Sequence, residues 1–251
     1  MQSKHALILA FLITGLIASN YFLFQIINKP ELETALVARV IDADTLELSD
    51  GRTLRLLNIN APEKSFPNSA LSTEFLKQYE NKSIKFQITE KDKYFRELAR
   101  IYSLDNSYIN LELVSNGLAS TFLVESSELS KFKNSEIQAI SQGKGIWKHS
   151  IYYDCITSTI DKELEVITLT NICDVLDLKS WKLKDESRKT FTFPNIKLNK
   201  AQNLILHSKE GTNNDFELYW QQKTNVWNND RDTLYLFDSN GFIIHFNSYG
   251  Y

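Results

Sequence analysis

Two runs of alternating apolar and polar residues, Ala35–Leu48 and Thr53–Ile59, flank the turn Ser49-Asp50-Gly51-Arg52. That alternation, rich in β-branched residues, commits the stretch to a β-hairpin. Polar residues of a particular kind sit at the ends of its strands: Asp42-Ala43-Asp44-Thr45 on one side, Arg55 and Asn60-Ala61-Pro62-Glu63 on the other. Carboxylate, amide and backbone oxygens at fixed spacing are what a hard divalent cation takes. An arginine and a further glutamate add the charge and the proton acceptor that attack on a phosphodiester needs.

The next hundred residues mix periods. Ser69–Tyr79 has helical spacing in Leu71, Phe75, Leu76 and Tyr79, and Ser83–Ile88 alternates as a strand. A short helix is expected over Asn110–Val114, with Asn110 as its cap and Gly117 as its stop. Ser126–Ser141 reads as an amphipathic helix ending near Gly143-Lys144-Gly145-Ile146-Trp147. Strands interspersed with helices and closed by a helix suggest a small β-barrel with helices packed on it. From Thr157 onward the texture changes to short strands, such as Val166–Thr170, Asn203–Leu206, Asp232–Phe237 and Phe242–Phe246, with no helical period. That spacing predicts an antiparallel sandwich. The chain thus divides into three segments: residues 1–33 as an N-terminal anchor or signal with a linker, 34–150 as the barrel domain, and 151–251 as the sandwich domain.

Residues Ala6–Ile27 carry no charge and lie between Lys4 and Lys29. About 20 apolar residues cross a bilayer as a helix, whereas the apolar core of a cleaved signal is shorter. The length favours an uncleaved single-pass membrane anchor with the rest of the chain extracytoplasmic; secretion after signal cleavage is the alternative. Either route exports the protein, and the only two cysteines, Cys155 and Cys173, could then form a disulfide. The formal net charge of -3 excludes a uniformly basic nucleic-acid glove, so any such binding must come from a local patch. The four scattered histidines and two cysteines form no closely spaced ligand pair, which argues against zinc.

Residues 37–148 resemble the staphylococcal nuclease family, an OB-fold barrel with packed helices. The resemblance rests on Val40–Thr45, Leu54–Leu57 leading to Asn60–Glu63, Asp92–Ala99, Asn110–Ala119 and Gly145–Trp147. Residues 163–251 resemble the lamin-tail domain, an immunoglobulin-like β-sandwich, through Ile167–Asn171, Leu178–Asp185, Phe191–Pro194 and Val226–Leu236. The fold expected is therefore mainly β with α: a barrel followed by a sandwich.

The first resemblance implies a calcium ion held by Asp44, Asn60 and the main-chain carbonyl of Ala61. It makes Glu63 the general base and Arg55 and Arg96 the phosphate-gripping residues, with Lys93 and Tyr94 contacting the substrate. Two positions depart from the family's pattern. Asn60 stands in place of an aspartate, which removes a negative charge from the metal site. Phe95 stands in place of a glycine between the tyrosine and Arg96. Phe122 reads more readily as a core aromatic than as a base-stacking platform, and Asp42 as either a support for the metal site or a turn residue. The expected function is calcium-dependent hydrolysis of DNA and RNA with low sequence specificity. The alternative is a nucleic-acid-binding OB module that no longer cuts, tethered at the cell envelope through a partner of the sandwich.

Overall fold

The Ser49–Arg52 turn joins two antiparallel strands as the alternation predicts, but the run Ala35–Leu48 is not one strand. It breaks at Ala43-Asp44 into two strands that pair with each other, and the run after the turn ends as a strand at Leu56. Strand β1 (Glu33–Asp42) pairs with β2 (Thr45–Leu48), with irregularities between Val37 and Arg39 and between Val40 and Asp42. Such bulges bend a strand and increase its twist, so β1 reaches β2 with its later residues and β5 (Ser83–Lys91) with its first ones. Strands β3 (Thr53–Leu56) and β6 (Glu97–Tyr102) complete a five-stranded barrel in the order β1-β2-β3-β6-β5. The computed structural model describes residues 2–27, 32–64, 66–92 and 94–251, with the side chains of the first helix described from Ala10 to Leu23.

Two registers bring the functional residues to one place. Thr45 lies opposite Arg55 in the antiparallel β2–β3 pair, and Arg55 lies beside Leu98 in the parallel β3–β6 pair. The Asp42–Thr45 turn, the end of β3 and the start of β6 therefore meet at one rim of the barrel. Val37, Leu46, Leu54, Leu56, Phe86, Ala99 and Ile101 fill the interior. The short β4 (Ile59–Asn60) leaves the rim and pairs with β7 (Ser120–Thr121). Helices α2 (Ser69–Lys77), α3 (Ile109–Ser115) and α4 (Leu129–Ser141) pack outside.

Asn110 is not the cap of α3. Tyr108 precedes the first helical residue, and Asn110 is fully buried within the helix. Its side-chain oxygen accepts the Ile101 amide at 3.0 Å, and its nitrogen donates to the carbonyls of Leu57 and Ala99 at 2.9 and 3.0 Å. It pins α3 to the barrel through three hydrogen bonds to backbone groups of β6 and of the turn after β3.

The second half is a sandwich of two four-stranded sheets. One runs β12-β11-β16-β17 and the other β15-β14-β9-β8. Their strands are β8 (Ile156–Asp161), β9 (Val166–Asn171), β11 (Lys182–Lys184), β12 (Thr190–Thr192), β14 (Asn203–His207), β15 (Glu217–Tyr219), β16 (Asp232–Phe237) and β17 (Ile243–Tyr249). Small strands β10 (Leu176–Asp177) and β13 (Lys197–Leu198) pair at one side. Trp181, Trp227, Trp220 and the inward leucines make the core. One pair departs from the antiparallel expectation: β14 and β15 run parallel. Asparagine side chains shape the returning loop. Asn214 accepts the amides of Phe216 and Glu217, and Asn213 accepts that of Tyr219.

Barrel and sandwich are docked through a core of their own. Trp147 stacks on Tyr235 with ring centroids 5.1 Å apart, and Phe66 meets Phe237 edge-on at 5.0 Å. Beneath them Glu136, with no exposed surface, accepts the Thr121 amide and hydroxyl, the Lys133 ammonium and the Tyr235 hydroxyl, all at 2.8–2.9 Å. Lys133 also donates to Thr233 at 2.8 Å. A buried charge is tolerable only when paired and fully hydrogen-bonded, and here the partners come from both units.

The expected membrane anchor falls on α1 (Gln2–Ile27), whose described side chains are exposed. Among the described residues no helix is long and apolar enough to cross a membrane, so the structure lends the anchor no support.

Replacing Asn110 by alanine removes three buried hydrogen bonds and takes their partner from the Ile101 amide and the Leu57 carbonyl, while the Ala99 carbonyl keeps the Leu57 amide. Three buried hydrogen bonds of about 1 kcal/mol each set the expected loss near 3 kcal/mol, to be read from urea unfolding; a loss under about 1 kcal/mol would refute the pinning role.

Candidate active site

The rim where β2, β3 and β6 meet is organised around Asp44. Asp42 accepts the Asp44 amide at 3.0 Å, which makes it a turn residue that sets the conformation of its neighbour. Asp44 is buried, and its carboxylate accepts the Ala61 amide at 3.0 Å and the Thr45 hydroxyl at 3.1 Å. Arg55 approaches the same carboxylate at 3.5 Å. Burial pushes the Asp44 carboxyl up, but Arg55, the Ala61 amide and Arg188 outweigh it and hold the group below its ordinary value.

Arg55 is positioned by backbone as much as by charge. Its guanidinium donates to the carbonyls of Leu56 and Ile59 at 2.9 and 3.1 Å, and to the Asn60 side-chain oxygen at 2.7 Å. One guanidinium nitrogen thus lies between the Asp44 carboxylate and the Asn60 amide oxygen. Burial lowers the guanidinium's pKa; Asp44 opposes that shift, and the nearby Arg96 and Arg188 add to it.

Arg96 is held by Asp92, which accepts from its Nε at 2.8 Å and its Nη2 at 2.7 Å. The same aspartate accepts the amides of Tyr94 and Arg96, closing the turn. That turn needs Phe95 at φ 63°, the left-handed region, and its ring is 86% exposed. The departure at Phe95 therefore strains the backbone, and Arg96 beside it extends its Nη1 to within 3.5 Å of the Thr45 hydroxyl. Tyr94 is exposed beside Arg96, and Lys93 lies outside the described residues.

Two clefts adjoin Asp44. A cleft of about 600 Å³ is lined by Asp44, Arg55, Asn60, Tyr94 and Arg96, together with Phe122. Phe122 thus faces the cleft rather than the barrel core. The second cleft, of about 480 Å³, is lined by Asp44, Ala61 and Glu63. Glu63 is thus not in one cleft with the two arginines; Asp42, Asp44 and Arg188 border both.

Arg188 comes from the sandwich. It sits in the turn between β11 and β12 and meets Asp44 at 3.2 Å. From the end of β11, Lys184 pairs with Glu63 at 3.3 Å, its pKa lowered by burial against the pull of Glu63. The Glu186 carbonyl accepts the Asn60 side-chain amide at 3.2 Å. Burial pushes the carboxyls of Asp185 and Glu186 up to about 6 and about 7, as expected for a turn enclosed between two units.

Residues 53–149 match the family described as staphylococcal nuclease homologue, and residues 150–251 match the lamin tail domain. An uncharacterized endonuclease of Escherichia coli O157:H7 is 32% identical over 117 residues, which span 44% of this chain and 74% of that protein. The chain belongs to the staphylococcal nuclease homologues. Endonuclease YhcR of Bacillus subtilis (strain 168) is 29% identical over 138 residues, 46% of this chain and 11% of that protein. The barrel is a nuclease domain, and the sandwich is a lamin tail domain.

In this nuclease domain the oxygens that calcium would take are of the right kind. The Asp44 carboxylate and Asn60 amide oxygen converge on a single cationic nitrogen, and the Ala61 amide ties its peptide to Asp44. The set fits a hard divalent cation in chemistry, with one negative charge fewer than two carboxylates would give. Lys184, Glu186 and Arg188 were not legible as site residues in the sequence. Leu178–Asp185 carried only the lamin-tail pattern, and a contact between residues 44 and 188 leaves no periodic trace.

Phe95→Gly relieves the left-handed strain of a bulky residue, worth about 1 kcal/mol. Urea unfolding of this variant is expected to show that gain; a loss would mean the exposed ring makes a contact that holds the turn.

Proposed function

We propose that this chain hydrolyses phosphodiester bonds of DNA and RNA with low sequence specificity, as an exported calcium-dependent nuclease. The reading is carried by Arg55 and Arg96 lining one cleft and Glu63 the adjoining one, with Asp44 bordering both. Phosphate is the group such an array can hold: guanidinium forks match its oxygens, and a carboxylate beside them can take a proton from water. Contacts of this kind carry no base information, so sequence preference should be weak.

In this reading Arg55 and Arg96 grip the scissile phosphate and neutralise charge that develops on its oxygens. Glu63 orients a water for in-line attack and accepts its proton. Lys184 pairs with Glu63 at 3.3 Å. Asp44, Asn60 and the Ala61 carbonyl would hold calcium, which supplies Lewis-acid stabilisation of the phosphate's negative charge when bound. Tyr94, beside Arg96, is a substrate contact, Lys93 takes the same role on the family resemblance alone, and Phe122 offers a ring for a base.

Export is favoured by the disulfide between Cys155 and Cys173, whose Cα atoms lie 5.1 Å apart. Such bonds persist in oxidising compartments. Helix α1 is the segment that would lead the chain there, as a cleaved signal or as an anchor at the membrane. A second reading, a module that binds nucleic acid without cutting, draws on Asn60 and on the pairing of Asp44 with Arg188.

Plasmid nicking separates the two. Glu63→Gln is expected to slow nicking by at least about a hundredfold, the scale of a lost general base; undiminished activity would remove Glu63 from the mechanism. Chelating calcium is expected to stop nicking, and activity that survives chelation would refute the calcium requirement. Binding of DNA by the wild type with no product in calcium would establish the second reading.

A further inference from the structure

We propose that Arg188, carried into the nuclease cleft by the lamin tail domain, is a third phosphate-binding arginine, so that the substrate site is shared between the two domains. The proposal rests on the cleft being a site for nucleic acid. Three observations support it.

The first is position. Arg55 and Arg96 line one cleft and Glu63 the other, and Arg188 borders both. A phosphate gripped by the two arginines and attacked by a water held on Glu63 must lie at the junction of those clefts. Arg188 stands at that junction.

The second is unused hydrogen-bonding capacity. A guanidinium has five N–H donors. Among the described residues, that of Arg188 donates only to Asp44, at 3.2 Å. Its Nε is enclosed and has no partner. Its side chain is 38% exposed, so the rest of the fork can meet a ligand. The cleft stays open at about 600 Å³, within the 300–1,000 Å³ range of small-molecule sites. A side chain serving as a plug would fill that space.

The third is how firmly the turn is held. Arg188 adopts φ 77°, a strained value for a residue with a Cβ. Such conformations persist where the surroundings over-determine them. Here Asp185 accepts the Lys189 amide at 2.6 Å and the Ser187 hydroxyl at 2.5 Å, and the Thr190 hydroxyl donates to the Arg188 carbonyl at 3.1 Å. Asn60 fastens the turn to the nuclease domain through the Glu186 carbonyl, and Asp232 fastens it to β16 through the Glu186 amide. The arginine is presented by a fixed support, as a preorganised anion contact requires.

The test is fluorescence anisotropy with a short labelled single-stranded DNA, on the full chain carrying Glu63→Gln so that nothing is cut. Adding Arg188→Ala should weaken binding roughly tenfold, the value of one lost charge-assisted contact. The slope of log affinity against log salt should fall by about 0.7, one phosphate contact on a single strand. Arg188→Lys, which preserves the charge, should keep the slope and lose only part of the affinity, and it controls for damage to the turn. Unchanged affinity and slope in Arg188→Ala would overturn the proposal. Tighter binding would also overturn it, by making the arginine a plug. Wild-type nicking is scored separately: a protein that never cuts but loses affinity with Arg188 would refute the nuclease reading and leave this one standing.

Discussion

One buried carboxylate holds the functional rim together. Asp44 receives the Ala61 amide, the Thr45 hydroxyl, Arg55 from the barrel and Arg188 from the sandwich. Burying a charge is costly unless partners surround it, and each partner here fixes a different piece of chain. The Ala61 amide sets the path that leads to Glu63. Arg55, in turn, is held on the carbonyls of Leu56 and Ile59, so the end of β3 cannot move without breaking contacts to Asp44 and Asn60. The β2–β3 register, with Thr45 opposite Arg55, brings these groups together in the first place.

Arg188 can reach that carboxylate because the two domains are docked rather than merely linked. The aromatic contacts of Trp147 with Tyr235 and of Phe66 with Phe237 give the junction an apolar core. Glu136 and Lys133 then pair in its interior with groups from both sides. Gly241 adds a close approach, since a Cβ there would lie 2.6 Å from Pro67. A polar network of this kind is unforgiving of small shifts, because each lost bond leaves an unsatisfied buried group. The interface therefore fixes orientation as well as proximity, and orientation is what the turn bearing Arg188 requires.

Much of the fold was legible because local pattern and tertiary role agree. The alternation in Ala35–Leu48 and Thr53–Ile59 became barrel strands, though broken at Ala43-Asp44 and ended at Leu56. The helical spacing of Ser69–Tyr79 became a helix over Ser69–Lys77, and the short runs after Thr157 became two sheets. Legibility failed where a residue serves a distant partner. Asn110 read as a helix cap because capping is the local use of asparagine, yet it donates to backbone carbonyls of β6 and of the turn after β3. Phe122 read as core from its type alone, while the chain around it lines a cleft. The parallel pairing of β14 with β15 depends on a loop shaped by asparagine side chains, which leaves no periodic signal. Of the motif residues, Asp44, Arg55, Asn60 and Arg96 line one cleft and Glu63 the adjoining one, whereas Lys184 and Arg188 belong to a segment whose own pattern speaks only of a sandwich.

Barrel and sandwich are coupled into one cooperative unit, because the cleft is built from residues of both. Differential scanning calorimetry of the full chain with its disulfide intact tests this directly. One transition, with calorimetric and van't Hoff enthalpies equal, is the expected result; two separate transitions, with the sandwich melting apart from the barrel, would contradict it.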